Sequence, residues 1–253
     1  MAQTVLQLDR DRMGIFRSRP NRFLGLIKLD EPDSSTTNEV YAHIHDPGRL
    51  KELLYPGNLV LLKKAVVRSK RKTVWDVLAA KFNGNWILIH SGYHRAIAEW
   101  VLTNGQILPF GNPRSITPEV SVGDSRLDFE LIDQTGRRVL IEVKGCTLAE
   151  NGVALFPDAP TARGRRHLDT LLAAKQNASN GLECALVVLV FRPDAIRFMP
   201  NARTDPEFAR LFYHAYFNGI EVYPLVFEYD SHRINYLHRI SVSDSNCSLC
   251  NVH

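Results

Sequence analysis

Cysteine is scarce in this sequence, and long apolar runs are absent. The chain has four cysteines among 253 residues, too few and too irregularly spaced to cross-link a protein of this size, so reduced thiols are expected. The longest apolar runs, such as Cys184–Phe191, stop far short of the roughly 20 residues that a membrane helix needs. The first residues lack the basic and apolar stretches of a secretory signal. We therefore expect a cytoplasmic protein that makes no membrane contact.

The sequence also lacks the motifs of several common enzyme classes. No Gly-x-Ser-x-Gly segment, P-loop or dinucleotide-binding glycine fingerprint is present, so the sequence gives no support to serine hydrolase, NTPase or Rossmann interpretations. What the chain does have is 45% hydrophobic and 23% charged residues. This composition is typical of one large or two modest domains with packed cores.

Positive charge is concentrated in the first third of the chain. Residues 1–81 contain 15 Lys and Arg against 9 Asp and Glu, a balance of +6, whereas residues 82–253 have a balance of −2. A basic module next to a nearly neutral one is typical of proteins that bind polyanions. A solvated basic face would give the same charge, so the balance alone does not decide for nucleic acid.

The first third predicts a small β-barrel. Short segments rich in strand-forming residues are separated by turn residues, at 22–29, 39–45, 58–68, 73–82 and 86–90. The stretch Arg49–Leu54, between two Pro-Gly pairs, is expected to form one brief helix. This set suits an OB-like barrel, with an SH3-like barrel as the alternative. We assign residues 1–85 to this basic, nucleic-acid-binding domain.

Helices and strands are mixed in residues 86–242. The periodicity predicts helices over 94–104, 165–179 and 205–218, and strands over 125–133, 139–144, 184–191 and 220–229. The turn residues Asp133–Gly136 join the first two strands as a hairpin. This order describes one α/β domain. The polar residues 243–253 are expected to form a flexible tail.

The predicted hairpin carries a candidate metal site. Asp128 lies on its first strand, and Glu142 and Lys144 lie two residues apart on its second. Two carboxylates suit a hard divalent cation such as Mg2+ or Mn2+, and an adjacent Lys can orient or deprotonate a water molecule. The spacing is that of PD-(D/E)xK nucleases, although Glu-x-Lys is also common on solvated hairpin faces. The flanking helices follow the order of that nuclease core, which raises the weight of the nuclease interpretation.

Basic residues open the helix that follows the hairpin. Arg163 lies in the loop that leads into this helix, and Arg166 and His167 lie in its first turn, where backbone N–H groups have no intrahelical partner. Arginines at this end oppose the helix dipole, so they indicate an anionic ligand such as phosphate. The alternative is a surface loop with a basic helix start.

Basic residues of the first domain predict a second phosphate-binding surface. A run from Arg68 to Lys72 flanks a hairpin tip, where flexible cations can follow a phosphate backbone. Arg22 adjoins Phe23, which suits a surface that combines phosphate contacts with base stacking, although Phe23 is equally suited to the core. The predicted contacts in this domain are Arg19, Arg22, Arg49, Lys70, Arg71 and Lys72.

Two weaker patterns contain histidine. His43 and His45 share a strand face, but no third ligand is evident, so a metal site is not predicted there. Cys247, Cys250 and His253 offer three zinc ligands in the tail, and a complete structural site would need a fourth. The sequence leaves open whether the tail binds a metal.

Several motifs together resemble the sugar fermentation stimulation protein A (SfsA) family over nearly all of residues 14–240. They are Arg19-Pro20-Asn21-Arg22-Phe23, Gly48-Arg49-Leu50 with Pro56-Gly57, Arg71-Lys72-Thr73, Ser125-Arg126-Leu127-Asp128-Phe129, Glu142-Val143-Lys144-Gly145-Cys146-Thr147-Leu148, Phe156-Pro157-Asp158-Ala159-Pro160-Thr161, and Arg163-Gly164 with His167-Leu168. The resemblance implies an N-terminal OB-like domain, a C-terminal PD-(D/E)xK nuclease-like domain, DNA binding and a role in transcriptional control of sugar use.

The same resemblance places site residues by position. It puts Asp128, Glu142 and Lys144 on the nuclease triad, and Glu99 on the carboxylate of the preceding helix. One departure weakens the placement of Glu99. Ser91–His94 stands where the family pattern has an Asn-Thr pair before that helix.

The sequence therefore predicts a two-domain DNA-binding protein with a nuclease-type site that uses Mg2+ or Mn2+. In the alternative, a non-catalytic regulator of sugar-metabolism genes uses a degenerate nuclease fold to hold phosphate. RNA binding by the first domain is a third interpretation, and a homodimer is compatible with the sequence. The sequence does not fix the strandedness of the substrate or its base sequence.

Overall fold

The computed structural model describes residues 2–30, 38–65, 73–178 and 181–243. The chain forms two compact units. The barrel unit comprises residues 1–93, 191–193 and 227–237, and the α/β unit comprises residues 94–190, 194–226 and 238–253. The domain boundary predicted between residues 85 and 86 stays a prediction, because compactness alone does not show that either part folds independently.

Short strands make up most of the barrel unit. In chain order they are β1 Gln3–Gln7, β2 Arg12–Asn21, β3 Leu24–Leu29, β4 Glu39–His43, β5 Leu59–Lys64, β6 Trp75–Phe82 and β7 Asn85–Leu88. A 3-10 turn, Ser91–Tyr93, follows them. Their inward side chains, such as Phe16, Ile27 and Leu61, are almost fully buried.

Five of these strands close into a barrel. β2 pairs with β3 and β5, β3 with β4, and β5 with β6, all antiparallel. The ring closes where β4 runs parallel to β6, with His43 opposite Asp76. This arrangement is the OB-like barrel that the sequence predicts and not the SH3-like alternative.

Two details of the predicted barrel are wrong. Its first strand is β2, all of which lies before the first strand that the sequence predicts. β7 lies outside the ring and pairs with β6 and with Tyr229. The helix expected over Arg49–Leu54 is a turn instead, in which the Leu54 N–H donates to the Leu50 carbonyl at 2.8 Å. Leu50 has φ of 49°, a left-handed conformation that interrupts helix growth.

The remaining elements alternate between helix and strand. They are α1 His94–Thr103, β8 Ser115–Val122, β9 Ser125–Ile132, β10 Arg138–Cys146, β11 Ala149–Glu150, β12 Val153–Phe156, α2 Ala162–Asn177, β13 Glu183–Val190, β14 Arg197–Pro200, α3 Pro206–Phe217, β15 Glu221–Tyr229, β16 Arg233–Arg239 and β17 Ser241–Val242. No helix among the described residues is both long and apolar enough to cross a membrane.

The α/β unit is built on three parallel strands. β13 lies between β10 and β15 and runs parallel to both, while β9 and then β8 extend the sheet antiparallel beyond β10. β13 is buried almost along its whole length, as expected of a parallel strand with both faces covered. α2 packs against β13 and against α3. One core cluster joins Leu127 and Leu140 of the sheet to Leu171 of α2.

Local capping explains where the hairpin and α2 begin. Asp133 accepts hydrogen bonds from the Thr135 and Arg137 N–H groups, both at 2.9 Å, and so closes the predicted turn. α2 starts at residue 162 rather than the predicted 165, because the Thr161 hydroxyl accepts from the Gly164 N–H at 3.0 Å and caps the helix.

Candidate functional site

The hairpin register brings the two candidate metal ligands together. β9 and β10 pair Phe129 with Ile141, so Asp128 and Glu142 are the next residues on the two strands. Residues opposite each other on antiparallel strands point to the same face. Lys144 lies two residues beyond Glu142 and therefore shares that face. The structure thus assembles the predicted Asp128, Glu142 and Lys144 set at one end of the hairpin.

The two oxygens of Glu142 differ in their surroundings. Oε1 contacts both the Lys144 Nζ and the His167 Nδ1. These two nitrogens are 3.5 Å apart. Oε2 is buried and has no hydrogen-bond partner in the described part of the chain. Because an unsatisfied buried carboxylate oxygen is costly, Oε2 is suited to a ligand that the protein itself does not supply.

Asp128 is held against the edge of the same strand. Its Oδ2 accepts a hydrogen bond from the Val143 N–H at 2.7 Å. Burial and, next, the negative charge of Glu142 raise the pKa of Asp128 above its ordinary value. For Glu142, burial acts to raise the pKa, but the His167 and Lys144 contacts outweigh it, and the net shift is downward. The surroundings of Glu142 therefore favour its ionised form, whereas those of Asp128 disfavour it.

The donor set fits a hard divalent cation. Two carboxylates face each other, their mutual repulsion works against ionisation of Asp128, and one buried oxygen lacks a partner among the described residues. Mg2+, Mn2+ and Ca2+ prefer such oxygen ligands. Lys144 and His167 are not ligands in this arrangement, because both already contact Oε1 of Glu142.

Glu99 occupies a different environment. Its Oε1 accepts a hydrogen bond from Arg95 Nε at 3.0 Å on the exposed face of α1. Arg95 also contacts Glu119 at 3.2 Å, and Glu119 contacts Arg126. Glu99 is thus one member of a surface ion-pair network, and its catalytic role stays a prediction.

The basic residues at the start of α2 divide into two groups. Arg165 is bound to Asp205 at 2.8 Å and lies 3.4 Å from Glu207, so its charge is already compensated within the fold. Arg163 and Arg166 are exposed. The Arg163 Nε lies 3.4 Å from the Nε2 of His167. This contact links the exposed Arg163 to the imidazole that holds Glu142.

His167 itself lies deeper than the sequence suggests. The sequence predicts it as a phosphate contact, but its side chain is buried and joined to Glu142. The helical period contains a signal for this burial, because Gly164, His167, Leu168 and Leu171 fall on the buried face of α2. Only the long-range packing of α2 on the sheet identifies Glu142 as the partner.

A glycine next to Lys144 is a feature of the site that the sequence did not predict. A Cβ at Gly145 would overlap the His94 imidazole, so only glycine fits there without movement. The close approach holds the first residue of α1 against the end of β10. The signal was the Gly that directly follows Glu-x-Lys, but nothing in the sequence relates it to His94.

The residues of the barrel unit that are predicted to bind nucleic acid also differ in how exposed their side chains are. The Arg19 guanidinium donates to the backbone carbonyls of Gly48, Arg49, Arg22 and Asp46, at 2.7 to 3.2 Å. Through these hydrogen bonds, Arg19 holds a loop in place. Arg22 and Arg49 are exposed.

Phe23 is 46% exposed and stacks on His43, with ring centroids 6.2 Å apart, whereas Phe16 is buried in the core. An exposed aromatic ring beside exposed arginines suits base stacking. The remaining predicted residues, Lys70, Arg71 and Lys72 of the basic run and Cys247, Cys250 and His253 of the tail, lie outside the described residues.

Comparison with known proteins identifies two consecutive domain families. Residues 18–89 match the SfsA N-terminal OB domain, and residues 92–233 match the sugar fermentation stimulation protein RE domain. A sugar fermentation stimulation protein homolog from Methanococcoides burtonii is 47% identical over 232 residues, which cover 92% of each chain. Its counterpart from Thermotoga neapolitana is 40% identical over 245 residues, covering 97% of this chain and 98% of the relative.

A solved structure is similar over nearly the whole chain. Pyrococcus furiosus SfsA, solved in complex with Ca2+, superimposes with a TM-score of 0.84 at 26% identity, covering 96% of this chain and 100% of that one. Together with the domain matches, this confirms the predicted fold class, an OB-like barrel followed by a nuclease-like α/β fold.

Proposed function

The chain belongs to the sugar fermentation stimulation protein family, and we propose that it binds DNA and hydrolyses phosphodiester bonds at a divalent-metal site in its α/β unit. The observation that carries this proposal is the Oε2 atom of Glu142. It is buried, lacks a hydrogen-bond partner among the described residues, and belongs to the carboxylate that faces Asp128. A divalent cation between the two carboxylates would neutralise both.

Each side chain of the site has a separate role in this proposal. Asp128 and Glu142 would hold Mg2+ or Mn2+, which would supply positive charge to the phosphate and make water more acidic. Lys144 lies at the rim of the carboxylate pair and orients the water that attacks phosphorus. His167 fixes the Glu142 side chain through Oε1, so that Oε2 would be available to the cation.

The ligand chemistry restricts the cation to one that prefers oxygen ligands. Pyrococcus furiosus SfsA was solved in complex with Ca2+. Ca2+, Mg2+ and Mn2+ share a preference for oxygen ligands but differ in size and coordination number. We propose Mg2+ or Mn2+ for this chain, with Ca2+ as a competitor that occupies the site without supporting turnover.

DNA contacts in the α/β unit are proposed for the exposed arginines of α2. Arg163 and Arg166 begin a helix whose free N–H groups favour anions, and within the described residues neither has a carboxylate partner of the kind that Arg165 has in Asp205. In the barrel unit, the proposed contacts are Arg22, Arg49 and the basic run Lys70–Lys72. Phosphate contacts of this kind contribute affinity with little dependence on base sequence.

Cleavage of a mixed substrate pool tests the proposal. The pool contains single-stranded, duplex and flapped DNA together with RNA, incubated with Mg2+ or Mn2+. Wild type should cleave at least one substrate, and Glu142→Gln and Lys144→Ala should reduce the rate by at least about 100-fold. The matched control is Lys175→Ala, because Lys175 pairs with Glu183 at 2.9 Å in a second Lys–Glu pair, and this variant should cleave normally.

The outcomes separate an enzyme from a regulator. Cleavage lost in the two site variants and kept in Lys175→Ala supports the nuclease. Metal and DNA binding without cleavage of any substrate would contradict it and favour the alternative, a non-catalytic DNA-binding regulator that uses the pocket to grip phosphate. Cleavage of RNA alone would reassign the substrate.

A further inference from the structure

The barrel unit contains a cluster of side chains of the types that can bind metals, none of which belongs to the nuclease-type set. His45 Nε2 is 3.1 Å from Asp76 Oδ1, and His90 Nε2 is 3.7 Å from Asp76 Oδ2. One ligand atom from each of the three residues lies within 4.8 Å of the other two. Two imidazoles therefore converge on the two oxygens of one carboxylate.

Barrel closure explains why residues so distant in sequence meet. The parallel pairing of β4 with β6 sets His43 opposite Asp76, and His45 follows two residues later. β7 returns antiparallel to β6, and the Ile89 N–H donates to the Leu78 carbonyl just before His90. The Ser91 hydroxyl also donates to the His45 carbonyl at 2.8 Å. Three chain segments are thus fixed at one end of the barrel.

The cluster is largely removed from water but open on one side. The side chains of Asp76 and His90 are 9% and 10% exposed, and that of His45 is 25% exposed. The His45 and His90 rings stack, with centroids 3.7 Å apart and 22° between their planes. Gly92 makes room for His90, because a Cβ there would lie 2.9 Å from His90 Cε1.

The nitrogen–oxygen separations are close to those between ligands of one metal ion, and the stacked rings need to turn apart for both Nε2 lone pairs to meet that ion. At 3.7 Å, His90 Nε2 and Asp76 Oδ2 are beyond hydrogen-bond range. Two ligands on one tetrahedral Zn2+ at about 2.0–2.1 Å lie roughly 3.3 Å apart, between the two observed distances.

We propose that His45, Asp76 and His90 form a binding site for a divalent transition-metal ion, with Zn2+ as the ion to be tested. Two imidazole nitrogens and one carboxylate oxygen are a borderline-soft set that favours Zn2+ over Mg2+ or Ca2+. Three protein ligands leave a fourth position for water on the exposed side of His45. The ion would tie the end of β4, the start of β6 and the segment after β7 to one another.

Isothermal titration with Zn2+ tests the proposal on the full chain. The starting protein carries Asp128→Asn, Glu142→Gln, Cys247→Ser and Cys250→Ser, so that neither the nuclease-type carboxylates nor the tail thiols contribute. We expect one equivalent of Zn2+ to bind and to raise Tm. His90→Gln and Asp76→Asn should each weaken binding by at least about 100-fold.

The control uses another histidine–aspartate pair of the barrel unit. His232 contacts Asp9 at 2.8 Å on the surface, and no third metal-binding side chain joins this pair in the described part of the chain. His232→Gln should therefore leave Zn2+ binding unchanged. If His90→Gln or Asp76→Asn fails to fold, His45→Gln replaces it, because His45 is the most exposed ligand. Circular dichroism confirms folding before each titration.

The result that overturns the proposal is specific. Absence of Zn2+ binding in the starting protein, or one equivalent that survives replacement of each of the three residues, would show that the cluster is only a hydrogen-bonded group. Co2+ provides a second readout, since its visible absorption reports nitrogen ligation and should disappear in His90→Gln. Neither result depends on nuclease activity.

Discussion

Buried carboxylates have different surroundings in the two side-chain clusters, the one at Asp128 and Glu142 and the one around Asp76. In the α/β unit, two carboxylates oppose each other, and Lys144 and His167 contact only one oxygen of Glu142. In the barrel unit, the two oxygens of one carboxylate each approach the ring nitrogen of one of two stacked imidazoles. The first set consists of oxygen ligands that repel one another, and the second mixes nitrogen and oxygen ligands that attract. The difference predicts opposite metal preferences and opposite responses to removal of the carboxylate charge.

The two clusters also differ in the number of chain segments that contribute their residues. Asp128 and Glu142 lie on one hairpin whose turn is closed by Asp133. His45, Asp76 and His90 come from three segments that only the closed barrel brings together. A locally built site should tolerate changes elsewhere in the fold, whereas a site at a closure point should depend on the whole barrel.

The largest expected effect is a selective loss of one metal ion from each cluster. It is measured with one variant of each cluster and with both ions. Glu142→Gln should weaken Mn2+ binding by at least about 100-fold, because it replaces one of the two anionic carboxylates by a neutral amide, and should leave Zn2+ binding at the barrel cluster unchanged. His90→Gln should do the reverse. Titration of both ions into both variants gives four affinities. Parallel losses of both ions in either variant would show that the clusters are not independent.

The second test enlarges one glycine beside each cluster. Gly145→Ala would press a methyl group into the His94 ring, and Gly92→Ala would do the same to His90. Each should cost about 1–3 kcal/mol of stability through overpacking, measured by urea denaturation. Gly92→Ala should also weaken Zn2+ binding, because His90 is a proposed ligand.

A rescue variant serves as the control for the glycine test. His94→Ala combined with Gly145→Ala removes the ring that the methyl group would overlap, and should recover part of the lost stability. An unchanged loss in the double variant would place the cost in the backbone of β10 and not in the contact with His94.

The third test removes one charge from each cluster in the metal-free protein. Asp128→Asn should stabilise the apo protein by up to about 1 kcal/mol, because burial and the charge of Glu142 raise the pKa of Asp128 and so disfavour its ionised form. Asp76→Asn should instead destabilise by about 1–3 kcal/mol, since it removes the charged partner of two imidazoles.

The pH dependence gives this third test its control. A raised folded-state pKa means that the penalty from Asp128 is absent at acidic pH and develops as pH rises through that pKa. The gain from Asp128→Asn should therefore be present at neutral pH and vanish in acid. A gain of the same size at both pH values would contradict the charge explanation.

The smallest expected effect concerns the turn that sets the hairpin register. The Thr135 hydroxyl and, after it, the contacts with Arg137 outweigh burial and lower the pKa of Asp133 to about 2. A lowered pKa gives stability that is present above the ordinary value near 4 and is lost as pH falls toward 2. Asp133→Asn should lower Tm by a few degrees at pH 7 and by less as pH approaches 3. A constant difference across this range would show that the charge is irrelevant.

Local patterns in the sequence were sufficient for most of the α/β unit. Alternation of apolar and polar residues identified β9 and β10, and the turn residues around Asp133 paired them, so Asp128 and Glu142 could be placed on one face. Helices α1, α2 and α3 follow their apolar period within a few residues. What the sequence could not supply was the contact between His167 and Glu142, which depends on how α2 packs on the sheet.

The barrel was harder to predict, because its key strand is atypical. β2 carries three arginines and a proline among its ten residues, and only Gly14 and Phe16 in it are buried. Two buried residues are too few to give β2 the apolar alternation that distinguishes a strand from a loop in the sequence. The metal cluster had no sequence signal beyond His43 and His45, since its other members follow 31 and 45 residues after His45. Predicting a site of this kind requires the three-dimensional fold, whereas predicting a site on one hairpin requires only the pairing register of its two strands.

The most direct test of the central claim compares Mn2+ binding with cleavage in the same protein, Lys144→Ala. Lys144 contacts Glu142 but is not a proposed ligand, so calorimetry should show Mn2+ binding close to that of wild type. Cleavage of the preferred nucleic-acid substrate should fall by at least about 100-fold, because the attacking water loses its positioning group. Unchanged cleavage in Lys144→Ala, or no Mn2+ binding by wild type with or without DNA, would contradict a metal-dependent nuclease site at Asp128 and Glu142.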